Sequence, residues 1–156
     1  MATIAEKIIE VCKSQFPMAS TTCNGYVGAV AKSFFTSPSF DPSKLADDII
    51  DQLNNSADWT KLGTSNAKAI ADAKANKFVI AGMIAEDLEA DHGHLAIVIG
   101  MDGALSGTVI VPICYAGSLK TEGRVQNQRI SSTFPTSCAR NEEISYYSRA
   151  TQISPA

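Results

Sequence analysis

Cysteine and histidine are the scarce reactive side chains of this sequence: Cys12, Cys23, Cys114 and Cys138, with His92 and His94. A cysteine nucleophile works as its thiolate, and a helix N-terminus favours that form because its unpaired backbone N–H groups and the helix dipole stabilise negative charge. Cys23 has this setting. It lies in Ala19-Ser-Thr-Thr-Cys-Asn-Gly-Tyr26, a run rich in capping residues, and is followed by Val27, Val30, Ala31, Phe34 and Phe35 at helical spacing. The amides opening that helix can also hold the oxyanion of a tetrahedral intermediate. The plain alternative makes Cys23 a small apolar residue in a buried turn.

Any imidazole base must be His92 or His94. His94 directly precedes Leu95-Ala96-Ile97-Val98-Ile99, so strand alternation sends its side chain to one defined face, whereas His92 stands beside Asp91 in an acidic stretch and reads as a solvated loop residue. His94 is therefore the expected base for Cys23. A rival use joins His92 and His94 with Cys114 or Asp91 in a zinc site, although no further ligand cluster is visible. Cys114 reads more simply as a core thiol in an apolar strand. A bridge between Cys12 and Cys138 would close a loop of about 125 residues, worth roughly 4–5 kcal/mol in the chain-entropy description, and would need an oxidising compartment.

The elements that must place these residues follow from the periodicities. Ile4, Ile8, Val11, Cys12 and Phe16 predict an amphipathic first helix that ends before Pro17, with Cys12 on its buried face. Cys23 opens the second. Asp41 and Pro42 read as cap and first position of a third helix over 42–54, and Thr64 to Ala75 as a short fourth. Lys77 to Met83 and Gly93 to Gly100 are compact apolar runs bounded by glycine, as central strands are. Between them lies the acidic link Glu86, Asp87, Glu89 and Asp91, which reads as a solvated loop able to contact substrate amines or a partner. Thr108 to Ala116 predicts a third strand, with Pro112 marking an edge or a bulge, and 123–130 and 143–149 a fourth and fifth. Helices first and a mainly antiparallel sheet afterwards is an α+β plan. The 156 residues are expected to form a single domain, 1–156, with no internal repeat or linker.

Composition narrows the function classes. Hydrophobic residues make up 45% and charged residues 19%, an ordinary globular balance. A net charge of −3 and a pI near 5.3, with lysine and arginine scattered along the chain, argue against nucleic acid and anionic membrane as partners. Charged residues interrupt the apolar N-terminal stretches, so no secretory leader is expected there, and no apolar run approaches the roughly 20 residues that span a bilayer.

Thr22-Cys23-Asn24-Gly25-Tyr26-Val27 on a helix, followed by Gly93-His94-Leu95-Ala96-Ile97-Val98-Ile99 on a strand, resembles the papain-like amidases of the NlpC/P60 type. More closely, Ala57-Asp58-Trp59-Thr60-Lys61-Leu62, Lys77 to Gly82 and Ile113-Cys114-Tyr115-Ala116-Gly117-Ser118 resemble the amidase effectors of bacterial type VI secretion systems, over nearly the whole chain. The resemblance implies an NlpC/P60 fold and a cysteine amidase acting on peptidoglycan stem peptides without a cofactor. Cys23 would be the nucleophile and His94 the base. The family's third, orienting position falls on Tyr115-Ala116-Gly117, which offers no His, Asn or Asp side chain, so the Ala116 carbonyl is the expected orienting group. The same resemblance implies delivery by type VI machinery into a recipient's periplasm, a cognate immunity protein, and a cysteine pair joining the first helix to the C-terminal region, here Cys12 with Cys138. The bond cut would be the D-glutamate to diaminopimelate bond or the diaminopimelate to D-alanine cross-link. The rival readings are a housekeeping wall hydrolase of the same fold and a non-catalytic binding module.

Overall fold

Thr3 opens the first helix, α1 (Ile4–Ala19), with a reciprocal cap: its hydroxyl accepts from the Glu6 amide at 3.1 Å, and the Glu6 carboxylate accepts from the Thr3 amide at 3.0 Å. Pro17 sits inside the last turn and does not end the helix, because one missing N–H near a C-terminus removes little; the Ser20 amide still bonds Phe16 O at 3.2 Å. The computed structural model describes residues 1–155. Helix α2 (Cys23–Ala31) follows, then α3 (Ala46–Asn55), β1 (Thr60–Gly63), α4 (Asn66–Lys74), β2 (Lys77–Met83), the single turn α5 (Ala85–Leu88) and β3 (His94–Val98). The chain continues as β4 (Ala104–Ser106), β5 (Val109–Val111), β6 (Ile113–Ala116), β7 (Val125–Arg129), α6 (Thr136–Arg140) and β8 (Ser145–Ala150).

Six strands form one antiparallel sheet in the order β1-β8-β2-β3-β6-β7, and β4 with β5 forms a separate hairpin. The fold is α+β, with helices on both faces of this sheet. Strand alternation divides the interior in two. Phe78, Ile80, Leu95, Ile97, Ile99 and Tyr115 face α1, α2 and α3 in one core; Val79, Ala81, Ala96, Val98, Cys114 and Tyr146 face α4 and α6 in the other. With β2 and β3 covered on both sides, their sequences are continuously apolar, as buried central strands require.

Beyond Pro17, two more elements differ from the sequence expectation. Asp41 does not cap a helix starting at Pro42; its carboxylate accepts from both the amide and the hydroxyl of Ser43, at 3.0 and 2.7 Å, closing a local turn. The helix starts at Ala46 instead, after Leu45. The apolar run through Thr108 to Ala116 is not one strand. Pro112 has no N–H to give a ladder, and the chain divides there, β5 pairing with β4 and β6 entering the main sheet. Among the described residues no helix is long and apolar enough to cross a membrane.

Candidate functional site

Cys23 is the first residue of α2. Thr22 is the N-cap, with an extended backbone (φ −140°, ψ 151°) and a hydroxyl that accepts from the Gly25 amide at 3.1 Å. This leaves the amides of Cys23 and Asn24 free of intrahelical partners, beside the thiol. The helix start is fixed from several sides. Tyr26, wholly buried, donates its hydroxyl to Cys12 O at 2.7 Å and meets Phe16 edge-on at 5.8 Å, which ties α2 to α1. Asn24 Nδ2 donates to Pro42 O at 3.1 Å, which holds the 41–45 loop against the same turn.

The thiol rests against the start of β3. Ile99 N donates to Ile113 O at 3.0 Å, so by alternation the amides of Ile97 and Leu95 face the β6 side as well. Pairing between β3 and β6 ends at Ile97 and Tyr115. Beyond that point the β6 chain turns away: Ser118 N donates to Ser20 O at 2.9 Å, and Gly117 lies so close to Ser20, Thr22 and Tyr26 that a Cβ would overlap them. The Leu95 amide is thereby left without a partner on β6. Burial pushes the Cys23 thiol up, while the amides of Leu95, Asn24 and Cys23 itself pull it back down by stabilising the thiolate.

His94 leaves β3 on the other face, half-buried against the second core. Its ring packs on Phe134 with centroids 4.8 Å apart and planes at 59°. Nε2 lies 2.7 Å from Thr133 Oγ1, and the Thr133 hydroxyl donates to Gly123 O, also at 2.7 Å. Removal from water lowers the imidazole pKa from 6.5 to about 4, so the ring is neutral at physiological pH.

Cys23 packs on the α1–α3 side of the sheet and the His94 imidazole lies on the α4–α6 side with Phe134 and Thr133, and among the described residues no hydrogen bond joins the two side chains. Ala116 lies on the strand paired with that of His94. It is buried on β6, where the register would set it opposite Ala96, and among the described residues His94 makes no hydrogen bond to its carbonyl. The hydrogen-bond partner of the imidazole is Thr133. Sequence reasoning passed over both Thr133 and the Leu95 amide: a threonine in a turn carries no chemical signal, and a freed backbone N–H has none.

The other reactive residues lie apart. His92 is exposed in the loop before β3 with Glu89 and Asp91, whereas Glu86 and Asp87, expected in the same loop, are exposed on the helical turn α5. Cys114 is fully buried, as expected of a core thiol. Cys12 is buried in the α1–α3 core, which raises its thiol pKa to about 12, while Cys138 belongs to the core across the sheet. The bridge expected between them is not formed: all four thiols are free, and a whole sheet separates two residues whose Cα atoms would need to lie within about 7 Å. Among the described residues no group of three or more His, Cys, Asp or Glu stands close enough to hold a metal ion. Comparison of the chain with protein-family models gives no match, and comparison with curated proteins gives none of significance.

Proposed function

We propose that this chain is a papain-like cysteine amidase of the NlpC/P60 type that cuts peptidoglycan peptides and serves as a type VI secretion effector. The observation that carries the chemistry is the setting of Cys23: a half-buried thiol at a capped helix N-terminus, where the backbone amides of Leu95, Asn24 and Cys23 favour its thiolate against burial. The family resemblance supplies the substrate.

In this reading a bound amide carbonyl lies over the Cys23 sulfur. His94 accepts the thiol proton as the C–S bond forms, because a raised thiol and a lowered imidazole rest as a neutral pair and the proton moves only with attack. Amides opening α2 hold the oxyanion. The imidazolium then protonates the leaving amine, and water, deprotonated by His94, releases the acyl group from sulfur. The substrate would be a stem peptide in the periplasm of a recipient cell, and a cognate immunity protein would guard the producer by covering this site.

Digestion of purified Gram-negative sacculi by wild type and Cys23→Ala, with released muropeptides separated and weighed, tests the proposal. Conversion of cross-linked dimers to monomers by wild type alone identifies the diaminopimelate to D-alanine bond, and shortened stems identify the D-glutamate to diaminopimelate bond. No release by wild type, or equal release by both proteins, would refute the amidase reading.

A further inference from the structure

We infer that Thr133 is the positioning residue for His94, holding the imidazole as its Nε2–H tautomer with Nδ1 as the free basic nitrogen, an assignment that rests on the amidase reading only for its consequence in catalysis. Thr133 Oγ1 lies 2.7 Å from both His94 Nε2 and Gly123 O. A hydroxyl carries one proton, and a backbone carbonyl can only accept. The Thr133 proton is therefore committed to Gly123 O, and Thr133 meets the imidazole with a lone pair. Nε2 must supply the hydrogen of that contact. A neutral ring carries one N–H, so Nδ1 holds the lone pair that can take a proton from a thiol.

The support around Thr133 is rigid. Its amide donates to Ile130 O at 3.2 Å, and the Phe134 amide donates to the same carbonyl at 3.0 Å. Ile130 is fully buried and its own amide donates to Pro112 O at 2.8 Å, which anchors the turn to the start of β6. Consecutive residues thus hold the ring in two ways, Thr133 at Nε2 and Phe134 through a tilted ring contact. The β-branched side chain of Thr133 adds a restricted χ1. Gly123, on the short 3₁₀ turn Thr121–Gly123, presents its carbonyl from the connection between β6 and β7. Three segments distant in sequence therefore meet at one hydroxyl, and an acceptor placed for an imidazole N–H is the role a side-chain amide or carboxylate plays beside a catalytic histidine.

The test uses ¹⁵N NMR of the imidazole together with muropeptide release, in a His92→Gln background so that His94 is the sole histidine. Thr133→Val keeps the shape and removes the hydroxyl; Thr133→Ser keeps the hydroxyl. The expected result is one Nε2–H tautomer with a slowly exchanging, hydrogen-bonded ring proton in the parent and in Thr133→Ser. Thr133→Val should lose that protected proton and lower kcat roughly 10- to 100-fold with KM little changed, as for a group that orients a general base. An Nδ1–H tautomer in the parent, or a Thr133→Val protein that keeps both the protected proton and its rate, would overturn the assignment. Should the parent show the expected tautomer and protected proton but release no muropeptides, the amidase reading fails while the loss or survival of that proton in Thr133→Val still decides the part played by Thr133.

Discussion

The Asp47 carboxylate fills the volume in which a side chain on Gly93 would have to sit. The same oxygen, Oδ1, accepts from the Ala85 amide at 2.9 Å, so one residue of α3 holds both ends of the β2–β3 connection. Gly93 also lies close to the backbone of Met83, where a built Cβ would come within 2.8 Å of the carbonyl oxygen. Gly93→Ala must displace the carboxylate, the strand or both. The expected cost is about 1–3 kcal/mol in urea unfolding, in the range of overpacking. Activity should fall further than stability, since the next residue is His94.

The four thiols should separate cleanly by access. Cys12 and Cys114 are wholly buried and Cys138 is 7% exposed, whereas Cys23 is half-buried at a helix start. A chromogenic disulfide reagent is expected to titrate one thiol of the native protein quickly and all four after denaturation. In Cys23→Ala the fast phase should vanish. A fast phase that survives this substitution would place the reactive thiol elsewhere.

Lowering of the His94 pKa from 6.5 to about 4 has a definite sign. Between these values the unfolded chain binds a proton at this position and the folded chain does not, so folding stability rises with pH. The contribution is complete above about pH 6.5 and is lost as pH falls towards 4, up to about 3 kcal/mol and less to the extent that water reaches the half-buried ring. Urea midpoints measured between pH 4 and 7 should show this slope in wild type and a shallower one in His94→Gln. If His94 is the base, the acidic limb of kcat/KM should lie well below pH 6.5.

Thr22→Val removes the hydroxyl that accepts from the Gly25 amide and should cost about 1 kcal/mol. The loss should be accompanied by a slower reaction of the Cys23 thiol, because the same turn presents the amides that stabilise its thiolate. Comparable thiol reactivity in Thr22→Val and wild type would mean that Leu95 alone sets it.

Because Cys12 and Cys138 belong to cores on opposite faces of the sheet, a reducing agent should leave the thermal midpoint unchanged to within about 1 °C. A drop of several degrees would reveal a cross-link.

Much of this arrangement was legible from periodicity and caps. Cys23 opens a helix and His94 opens a strand where the sequence placed them, because a Thr cap and a glycine-bounded apolar run are local signals. The second central strand, Lys77–Met83, matches its expected bounds for the same reason. Misread elements depended on competition. Asp41 had a nearer partner in Ser43 than a helix amide, and Pro112 divided a run whose side chains alone promised continuity. Strands β1 and β4 were missed because Thr60 to Gly63 is largely exposed and Ala104 to Ser106 is short. The site itself was half legible. Cysteine and histidine stand out by residue type, whereas Thr133, the Gly123 carbonyl and the Leu95 amide take their places only through where a strand parts and a turn returns.

That parting has a kinetic side. The contributors to the site come from positions 22–24, 94–95, 123 and 133–134, and the gap that admits the Cys23 sulfur exists only once β6 has zipped to β3 as far as Tyr115 and Gly117 has docked on α2. Contacts so distant along the chain are costly in loop entropy and form late in folding. A partly folded chain, even one with α1, α2 and the β2–β3 hairpin in place, would carry the Cys23 thiol without the docked Gly117 segment and the parted strand around it, so assembly of these surroundings is coupled to completion of the fold.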